Sequence, residues 1–155
     1  LKDVGLVTAA HCVEGVDEVE VYHPSKPANK FVAKVLKRDE DRDLAILDHD
    51  IPSTEYFELE RSGGLVGVGD DLVALGYPGF APGDKLNVRD GKVSSLPVKH
   101  SVKLIEVSQK LAQGMSGGPL LFSNNAVAGV IHKGGPDEGR DFAIHIEALN
   151  EWLGL

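Results

Sequence analysis

The stretch Gln113-Gly114-Met115-Ser116-Gly117-Gly118-Pro119-Leu120-Leu121-Phe122 decides how the rest of the chain is interpreted. Its glycines allow backbone dihedral angles that are closed to residues with a Cβ atom, and Pro119 then leads a stiff chain into an apolar run. The segment predicts a tight turn that presents the hydroxyl of Ser116 at the start of a strand. The backbone N–H groups of Gly114 and Ser116 can converge beside it, as is needed to hold the oxygen anion of a tetrahedral intermediate. The alternative is a glycine-rich turn with a structural role only, because such turns are common in β proteins.

A serine hydroxyl is a weak nucleophile near neutral pH, so this hypothesis requires a base and a carboxylate that orients the base. Both residue types occur upstream. His11 lies in Thr8-Ala9-Ala10-His11-Cys12, and Asp43 is the last charge before the apolar run Leu44-Ala45-Ile46-Leu47. A carboxylate at that point lies where a loop enters the core, and it can be desolvated against a histidine.

These three segments resemble the signature segments of trypsin-like serine peptidases, in that family's order of histidine, aspartate and serine. Their spacing is closer to compact bacterial members than to animal digestive ones. The resemblance implies an all-β fold of two antiparallel six-stranded barrels with the active site in the cleft between them, followed by a short C-terminal helix. It also implies a serine endopeptidase with the triad His11, Asp43 and Ser116, an oxyanion hole formed by the amides of Gly114 and Ser116, a polypeptide substrate and an acyl-enzyme intermediate. No cofactor is required.

Short apolar or alternating segments separated by Gly and Pro independently favour an all-β chain. The predicted strands are residues 4–8, 18–23, 31–36, 44–47, 72–75, 86–88, 92–96, 103–107, 119–122, 126–131 and 141–146. We expect one peptidase domain over residues 1–155, with a partial N-terminal barrel at 1–52, a connection at 53–70, a C-terminal barrel at 71–146 and a helix at 147–155.

Composition excludes some classes of function. With 16 basic and 24 acidic side chains, the formal net charge is −8, which argues against nucleic acid or an anionic membrane surface as a partner. No segment approaches the apolar length of a membrane span. The single cysteine, Cys12, cannot form a disulfide within this chain, and we expect it to be a small buried side chain.

The remaining histidines, like the rest of the sequence, give no indication of a metal site. They show no ligand spacing with cysteines or carboxylates, so no zinc site is predicted. These residues are His23, His49, His100, His132 and His145.

The start of the chain and the residue before the serine bear on activation. The chain opens on Leu1 and enters a predicted strand almost at once, whereas the resemblance implies further strands before that point. We therefore expect the first barrel to lack its N-terminal strands, and an activating segment or partner to cover it; the localisation stays unknown. Met115 stands where digestive members carry an aspartate that pairs with a newly cut N-terminus, so activation by that ion pair is excluded.

Substrate preference is left open by the sequence. By resemblance, His132-Lys133-Gly134 lines the cleft and pairs with the substrate backbone, and Lys110, Leu111 and Asp141 help to build the pocket for the residue before the scissile bond. Asp141 favours a basic residue there, whereas Lys110 and His132 favour an acidic one.

Two further alternatives remain. The segment Ile131-His132-Lys133-Gly134-Gly135 also resembles bacterial glutamyl endopeptidases, whose histidine binds the substrate carboxylate, although Leu111 stands where those enzymes carry a threonine. A peptidase fold that acts as a catalytically silent or gated binding module is the alternative from another functional class. The presence of all three triad residue types argues against it.

Overall fold

The computed structural model describes residues 1–52, 56–58, 66–132 and 140–155. The first part of the chain forms a four-stranded antiparallel sheet with the spatial order β1-β4-β3-β2. Its strands are β1 (Leu6–Thr8), β2 (Glu18–Val21), β3 (Phe31–Asp39) and β4 (Leu44–Asp48). β2 alternates exposed and partly buried residues, as expected of a strand with one solvated face.

Strand β4 connects this sheet to the second half of the molecule. Its residues 44–47 are all buried. Ala45 and Leu47 pack within the first sheet, whereas Leu44 packs into an apolar cluster formed mainly by the second half. Asp43, the residue directly before β4, is thereby placed at the junction of the two halves.

The second part of the chain forms a closed six-stranded barrel. Neighbouring strands follow the order β11-β10-β9-β5-β6-β8, and pairing of β11 with β8 closes the circle, while the short β7 extends from β8. The strands are β5 (Asp71–Gly76), β6 (Asn87–Ser95), β7 (Val98–Lys99), β8 (Val102–Val107), β9 (Pro119–Leu121), β10 (Val127–Ile131) and β11 (Asp141–His145). Fully buried Leu72, Ile105, Leu120 and Ile131 form part of its core, each contributing about 1.5–3 kcal/mol by burial.

The two strands predicted at 86–88 and 92–96 are one continuous strand, β6. The prediction leaves residues 89–91 as a break between the two strands. In the structure, however, a Cβ atom on Gly91 would lie 2.0 Å from Oε1 of Gln109, so the glycine makes room for that buried side chain. The amide of Gln109 donates to the carbonyls of Leu72 and Arg89, and it thereby ties β5 and β6 together.

The predicted C-terminal helix is present as α1 (Ile146–Leu153). The ring of His145 accepts a hydrogen bond from the amide of Glu147 at its N-terminus, and Gly154 ends it with φ 73°, in the left-handed region that favours glycine. Trp152, on the last turn, receives a hydrogen bond from Lys37 of β3 at its carbonyl and has the Lys37 ammonium over its ring. The helix therefore contacts both halves of the molecule.

The all-β fold with a short C-terminal helix is confirmed, and the second half is the predicted six-stranded barrel. The first half, within the part of the chain that the structure describes, is a four-stranded sheet that does not close into a barrel. The predicted domain boundaries stay predictions, since most of the proposed connection (53–55 and 59–65) lies outside the described residues. Among the described residues, no helix has the length and apolar character needed to cross a membrane.

Candidate active site

The turn that carries His11 is built from buried alanines. β1 ends at Thr8, and a 3₁₀ turn follows at Ala10–Val13. Ala9 and Ala10 are buried, and the amide of Ala10 donates to the backbone carbonyl of Asp43 at 3.0 Å. This bond fixes the His11 turn against the chain segment that enters β4.

The His11 ring is held by the carboxylate of Asp43. Nδ1 of His11 lies 2.7 Å from Oδ2 of Asp43, and the backbone amide of His11 donates to Oδ1 at 2.8 Å. Asp43 is 8% exposed and has φ 54°, a left-handed conformation that aspartate tolerates better than most side chains. With Nδ1 directed at the carboxylate, Nε2 of His11 is left to exchange a proton with another group.

A second histidine contacts the same carboxylate oxygen. Nδ1 of His132 lies 2.5 Å from Oδ2 of Asp43, and the rings of His11 and His132 are 5.9 Å apart in an edge-to-face arrangement. The sequence predicted His132 as a substrate-binding residue and gave no sign of this contact, because 89 positions separate it from Asp43. His132 immediately follows β10, so the barrel brings it here.

Two opposing influences act on the pKa of Asp43. Burial acts to raise it, whereas hydrogen bonds from the His132 side chain and from the backbone and ring of His11 act to lower it. The hydrogen bonds prevail, and the pKa lies below its ordinary value. Asp43 therefore stays ionised at neutral pH and can stabilise a positive charge on a neighbouring imidazole.

The turn that carries Ser116 packs directly against the His11 turn. Gly117 has φ 86°, and a Cβ atom at that position would lie 2.3 Å from Oγ1 of Thr8 and 3.0 Å from the amide nitrogen of Ala9. Only a glycine allows the two turns to approach this closely. This contact brings the predicted serine to the predicted histidine across the interface between the halves.

The Ser116 hydroxyl donates to the backbone carbonyl of His132 at 3.3 Å, and within the described residues it forms no hydrogen bond with the ring of His11. Hydrogen bonds between catalytic groups are often long or absent until a substrate binds. The structure therefore joins His11 to Asp43 directly and packs the Ser116 turn against the His11 turn.

The predicted oxyanion turn leaves two amides without an acceptor among the described residues. Gly114 has φ 96°, and its Cα faces Tyr77, Pro78 and Gly79 so closely that a Cβ atom would lie 3.0–3.2 Å from their backbone atoms. Other amides in the turn have acceptors, such as Gly117, whose N–H donates to the carbonyl of Ile131 at 2.8 Å. Within the part of the chain that the structure describes, the amides of Gly114 and Ser116 have none.

Met115 anchors this turn in the barrel. Its side chain is 1% exposed and belongs to the barrel core. It packs over Gly76 at the end of β5, where a Cβ atom would lie 2.9 Å from Cγ of Met115. The residue that replaces the aspartate of digestive enzymes therefore holds the serine turn by apolar packing.

The predicted specificity residues that the structure describes differ in their exposure. Lys110 is exposed, and its carbonyl accepts a hydrogen bond from Arg89 at 2.6 Å. Leu111 is 4% exposed within the barrel core, and Asp141 is partly buried at the start of β11. Lys133 and Gly134 lie outside the described residues.

Cys12 differs from expectation because it is exposed. On the 3₁₀ turn, Ala10 and Val13 are directed to the core, so Cys12 is directed to the cleft. Its thiol lies 3.6 Å from the carbonyl oxygen of Ser116. Partial desolvation of the sulfur by neighbouring groups raises the pKa of the thiol, with an additional contribution from the negative charge of Asp43, so the thiol is protonated at neutral pH.

A shallow cavity of about 150 Å³ opens beside the His11–Asp43 pair. It is lined by Ala10, His11, Glu14, Glu40 and Asp43, so its charged side chains are acidic. A larger cavity of about 380 Å³ lies over β5 and β6 and includes none of the triad residues. The smaller one adjoins the predicted His11–Asp43 pair.

Comparison with known proteins supports the resemblance described from the sequence. Residues 1–130 match the family described as the trypsin-like peptidase domain. The chain belongs to this family. The probable periplasmic serine endoprotease DegP-like of Hahella chejuensis is 32% identical over 151 residues, which cover 94% of this chain and 32% of that protein.

Other trypsin-like relatives come from different organisms. The serine protease Rv3671c of Mycobacterium tuberculosis is 34% identical over 138 residues, covering 81% of this chain and 32% of that protein. The chloroplastic protease Do-like 2 of Arabidopsis thaliana is 33% identical over 139 residues, covering 84% of this chain and 22% of the relative. The chain thus spans a third or less of the length of these curated relatives.

Solved structures have the same fold. The active form of the Rv3671c protease from M. tuberculosis superimposes with a TM-score of 0.81 at 24% identity, covering 96% of this chain and 67% of that chain. The HtrA-type protease AlgW, solved with a decapeptide, gives a TM-score of 0.79 at 23% identity, covering 96% of this chain and 47% of that one. These similarities establish the fold of the trypsin-like domain. Its activity has to be inferred from the geometry of the site.

Proposed function

We propose that this chain is the catalytic domain of a serine endopeptidase that hydrolyses peptide bonds through an acyl-enzyme intermediate. The observation that carries the proposal is the packing of the Ser116 turn on the His11 turn through Gly117, with the His11 ring held by Asp43. The names of the relatives, serine endoprotease and serine protease, support it.

In the first half of the reaction, Oγ of Ser116 attacks the carbonyl carbon of the scissile peptide bond. Nε2 of His11 takes the hydroxyl proton, and the carbonyl oxygen becomes an anion that the amides of Gly114 and Ser116 bind. The C–N bond then breaks as His11 returns the proton to the leaving amine. The products are an acyl ester on Ser116 and a free amine.

In the second half, water replaces the amine. His11 takes a proton from the water as its oxygen attacks the ester carbonyl, and the same amides bind the new oxyanion. Collapse of this intermediate breaks the ester bond and returns the proton to Oγ of Ser116. Throughout both halves the ionised Asp43 orients His11 and stabilises its protonated form.

The resting hydroxyl requires one rearrangement before attack. Oγ of Ser116 bonds to the carbonyl of His132, so it must turn towards Nε2 of His11. His132 contributes to this site in two ways, by its carbonyl to Ser116 and by its ring to Asp43. We assign it as a positioning residue, because its ring orients Asp43, which in turn holds His11.

The position of His132 also bears on substrate preference. Its Nδ1 is engaged with Asp43, which leaves Nε2 as the ring atom that can contact a substrate carboxylate. The other charged candidates among the described residues are Lys110, which favours an acidic residue before the cut, and Asp141, which favours a basic one. By analogy with the family, the segment after β10, which includes Lys133 and Gly134, pairs with the substrate backbone as an added strand.

A fluorophosphonate probe tests the proposed function directly. In the full-length protein we expect one adduct, mapped by mass spectrometry to Ser116, and cleavage of an unstructured protein substrate. Both are expected to be lost in Ser116→Ala and strongly reduced in His11→Ala. Cys12→Ser is the matched control, because its exposed thiol lies beside the site and is not needed for the reaction. Absence of both adduct and cleavage in the folded full-length protein would instead support a binding module without turnover.

A further inference from the structure

Three potential metal ligands meet at Asp43. Nδ1 of His11, Oδ2 of Asp43 and Nδ1 of His132 all lie within 4.8 Å of one another. The two ring nitrogens approach the same carboxylate oxygen, at 2.7 Å and 2.5 Å. The triad reaction requires His11 and Asp43, and the positioning residue His132 adds a second imidazole nitrogen at the same oxygen, which gives a donor set of two nitrogens and one carboxylate oxygen.

The donor set matches the preferences of one class of ion. Two imidazole nitrogens and a carboxylate oxygen are ligands that Zn²⁺ takes readily, at bond lengths of about 2.0–2.2 Å. Because Zn²⁺ has no d-electron geometric preference, three protein ligands and one open position suit it. The Nδ1–Oδ2 distances of 2.7 Å and 2.5 Å are shorter than the separation between two ligands of one zinc ion, so binding requires both rings to shift relative to Asp43.

The rings have room for that movement and can be reached from solvent. The side chain of His11 is 45% exposed and that of His132 is 41% exposed. The adjoining cavity adds the acidic side chains of Glu14 and Glu40, whose charge favours the approach of a cation. Asp43 supplies a carboxylate oxygen, Oδ2, that both rings already contact.

We propose that His11, Asp43 and His132 form a binding site for Zn²⁺, and that the bound ion inhibits the peptidase. In the bound state, each neutral ring coordinates Zn²⁺ through Nδ1 and carries its single proton on Nε2. The proton with which Nδ1 had hydrogen-bonded to Asp43 therefore moves to Nε2 through solvent, and each ring keeps one proton. No electron is transferred. With Nε2 protonated and Nδ1 on the metal, His11 has no lone pair to accept the Ser116 proton.

The binding half of this proposal is independent of turnover, whereas the inhibition half rests on the proposed function. Ser116→Ala separates them, since it removes the nucleophile and leaves all three ligands in place. In this variant we expect calorimetry with Zn²⁺ to give one site per chain, and Co²⁺ to give the visible absorption bands of a four-coordinate complex. Binding of more than one ion, or of none, would overturn the proposal.

Ligand variants in the same background identify the site. We expect His132→Phe to weaken Zn²⁺ binding at least about tenfold, because it removes a nitrogen ligand and keeps an aromatic ring. Cys12→Ser is the sharpest control, since an exposed thiol beside His11 is the rival ligand; the affinity is expected to be unchanged. His100→Asn, at an exposed position elsewhere on the barrel, should also leave it unchanged. Loss of binding in Cys12→Ser, or full binding in His132→Phe, would refute the assignment.

Inhibition is measured in the active protein. We expect Zn²⁺ to abolish peptide cleavage reversibly, with activity restored by a chelator, and His132→Phe to need at least about ten times more zinc for half-inhibition relative to its own zinc-free rate. Zinc binding in Ser116→Ala without peptidase activity in the wild type would leave the metal site standing and remove the proposed function. Peptidase activity in the wild type without zinc binding in Ser116→Ala would leave the proposed function standing and remove the metal site.

Discussion

His11 and His132 contact the same oxygen of Asp43, at 2.7 Å and 2.5 Å, from two different halves of the molecule. His11 follows β1 of the four-stranded sheet, and His132 follows β10 of the barrel. The carboxylate is therefore the point at which the two halves share a hydrogen-bond network. Such networks orient their members more tightly than either contact does alone.

We expect His132→Phe to lower kcat by about tenfold with little change in KM, as for other groups that orient a reacting residue. The ring of phenylalanine cannot donate to Asp43, whereas the amide of His132→Asn can, so the asparagine variant should keep more activity. Steady-state kinetics on one peptide substrate measures both. A change confined to KM would show that His132 binds substrate, as the sequence first indicated.

Gly117→Ala should abolish most activity, because its Cβ atom would lie 2.3 Å from Oγ1 of Thr8 and separate the two turns. We expect a loss of at least about a hundredfold in kcat/KM, since small misplacements of reacting groups have effects of that size. Gly69→Ala is the matched control, with a similar φ of 90° and nothing within 4 Å of its Cβ position. It should show only the backbone strain of about 1–2 kcal/mol, seen as a lower unfolding free energy. Equal activity in the two variants would contradict the role given to Gly117.

Met115→Ala should destabilise the fold by about 2–5 kcal/mol, because it leaves a cavity where a fully buried side chain packed. Met115→Leu conserves volume and should lose less than about 1.5 kcal/mol. The two can be compared by urea denaturation. At temperatures where both variants are folded, we expect the alanine variant to lose kcat as well, since the serine turn loses its anchor over Gly76. Unchanged kcat in that variant would mean that the turn is held by its backbone alone.

The dependence of stability on pH should carry the signature of Asp43. Its pKa is below the ordinary value of 3.8 in the folded protein, so the unfolded chain binds the proton more readily. The stability from Asp43 is therefore fully present above that ordinary value and is lost as the pH falls through the lower folded-state pKa. Urea denaturation between about pH 6 and about pH 3 should show a steeper decline in the wild type than in Asp43→Asn. The exposed Asp90→Asn serves as the comparison and should follow the wild type; parallel curves for Asp43→Asn and wild type would refute this prediction.

Charge substitutions should separate the two alternatives for substrate preference. If Asp141 reads the residue before the cut, Asp141→Asn should reduce cleavage after arginine and lysine by about tenfold or more, which is 1.4 kcal/mol or more of discrimination. If Lys110 does so, Lys110→Gln should reduce cleavage after glutamate and aspartate by a similar factor. A peptide library scored at that residue provides the measurement. An unchanged profile in both variants would place the pocket on other residues.

Local sequence was sufficient for the features that depend on nearby residues. The glycines at 114 and 117 indicated a special turn, and both adopt positive φ angles there. Asp43 directly before an apolar run indicated a carboxylate at the edge of the core, and it is 8% exposed. Segments of alternating and apolar residues predicted most strands and the C-terminal helix, because side-chain periodicity is a property of each segment by itself.

Tertiary structure decided every feature that depends on which distant residues pack against a given position. Gly91 continues a strand because Gln109 fills the space above it, and Cys12 faces the cleft because its turn directs Ala10 and Val13 inward. His132 reaches Asp43 because it follows β10 in a barrel that packs on the first sheet. One residue of register would direct its ring to the other side of the strand, and the register of a strand is set by its partners in the sheet. The amino-acid sequence therefore specified which side chains the site contains, and the packing of the two halves determined which of them contact the carboxylate of Asp43.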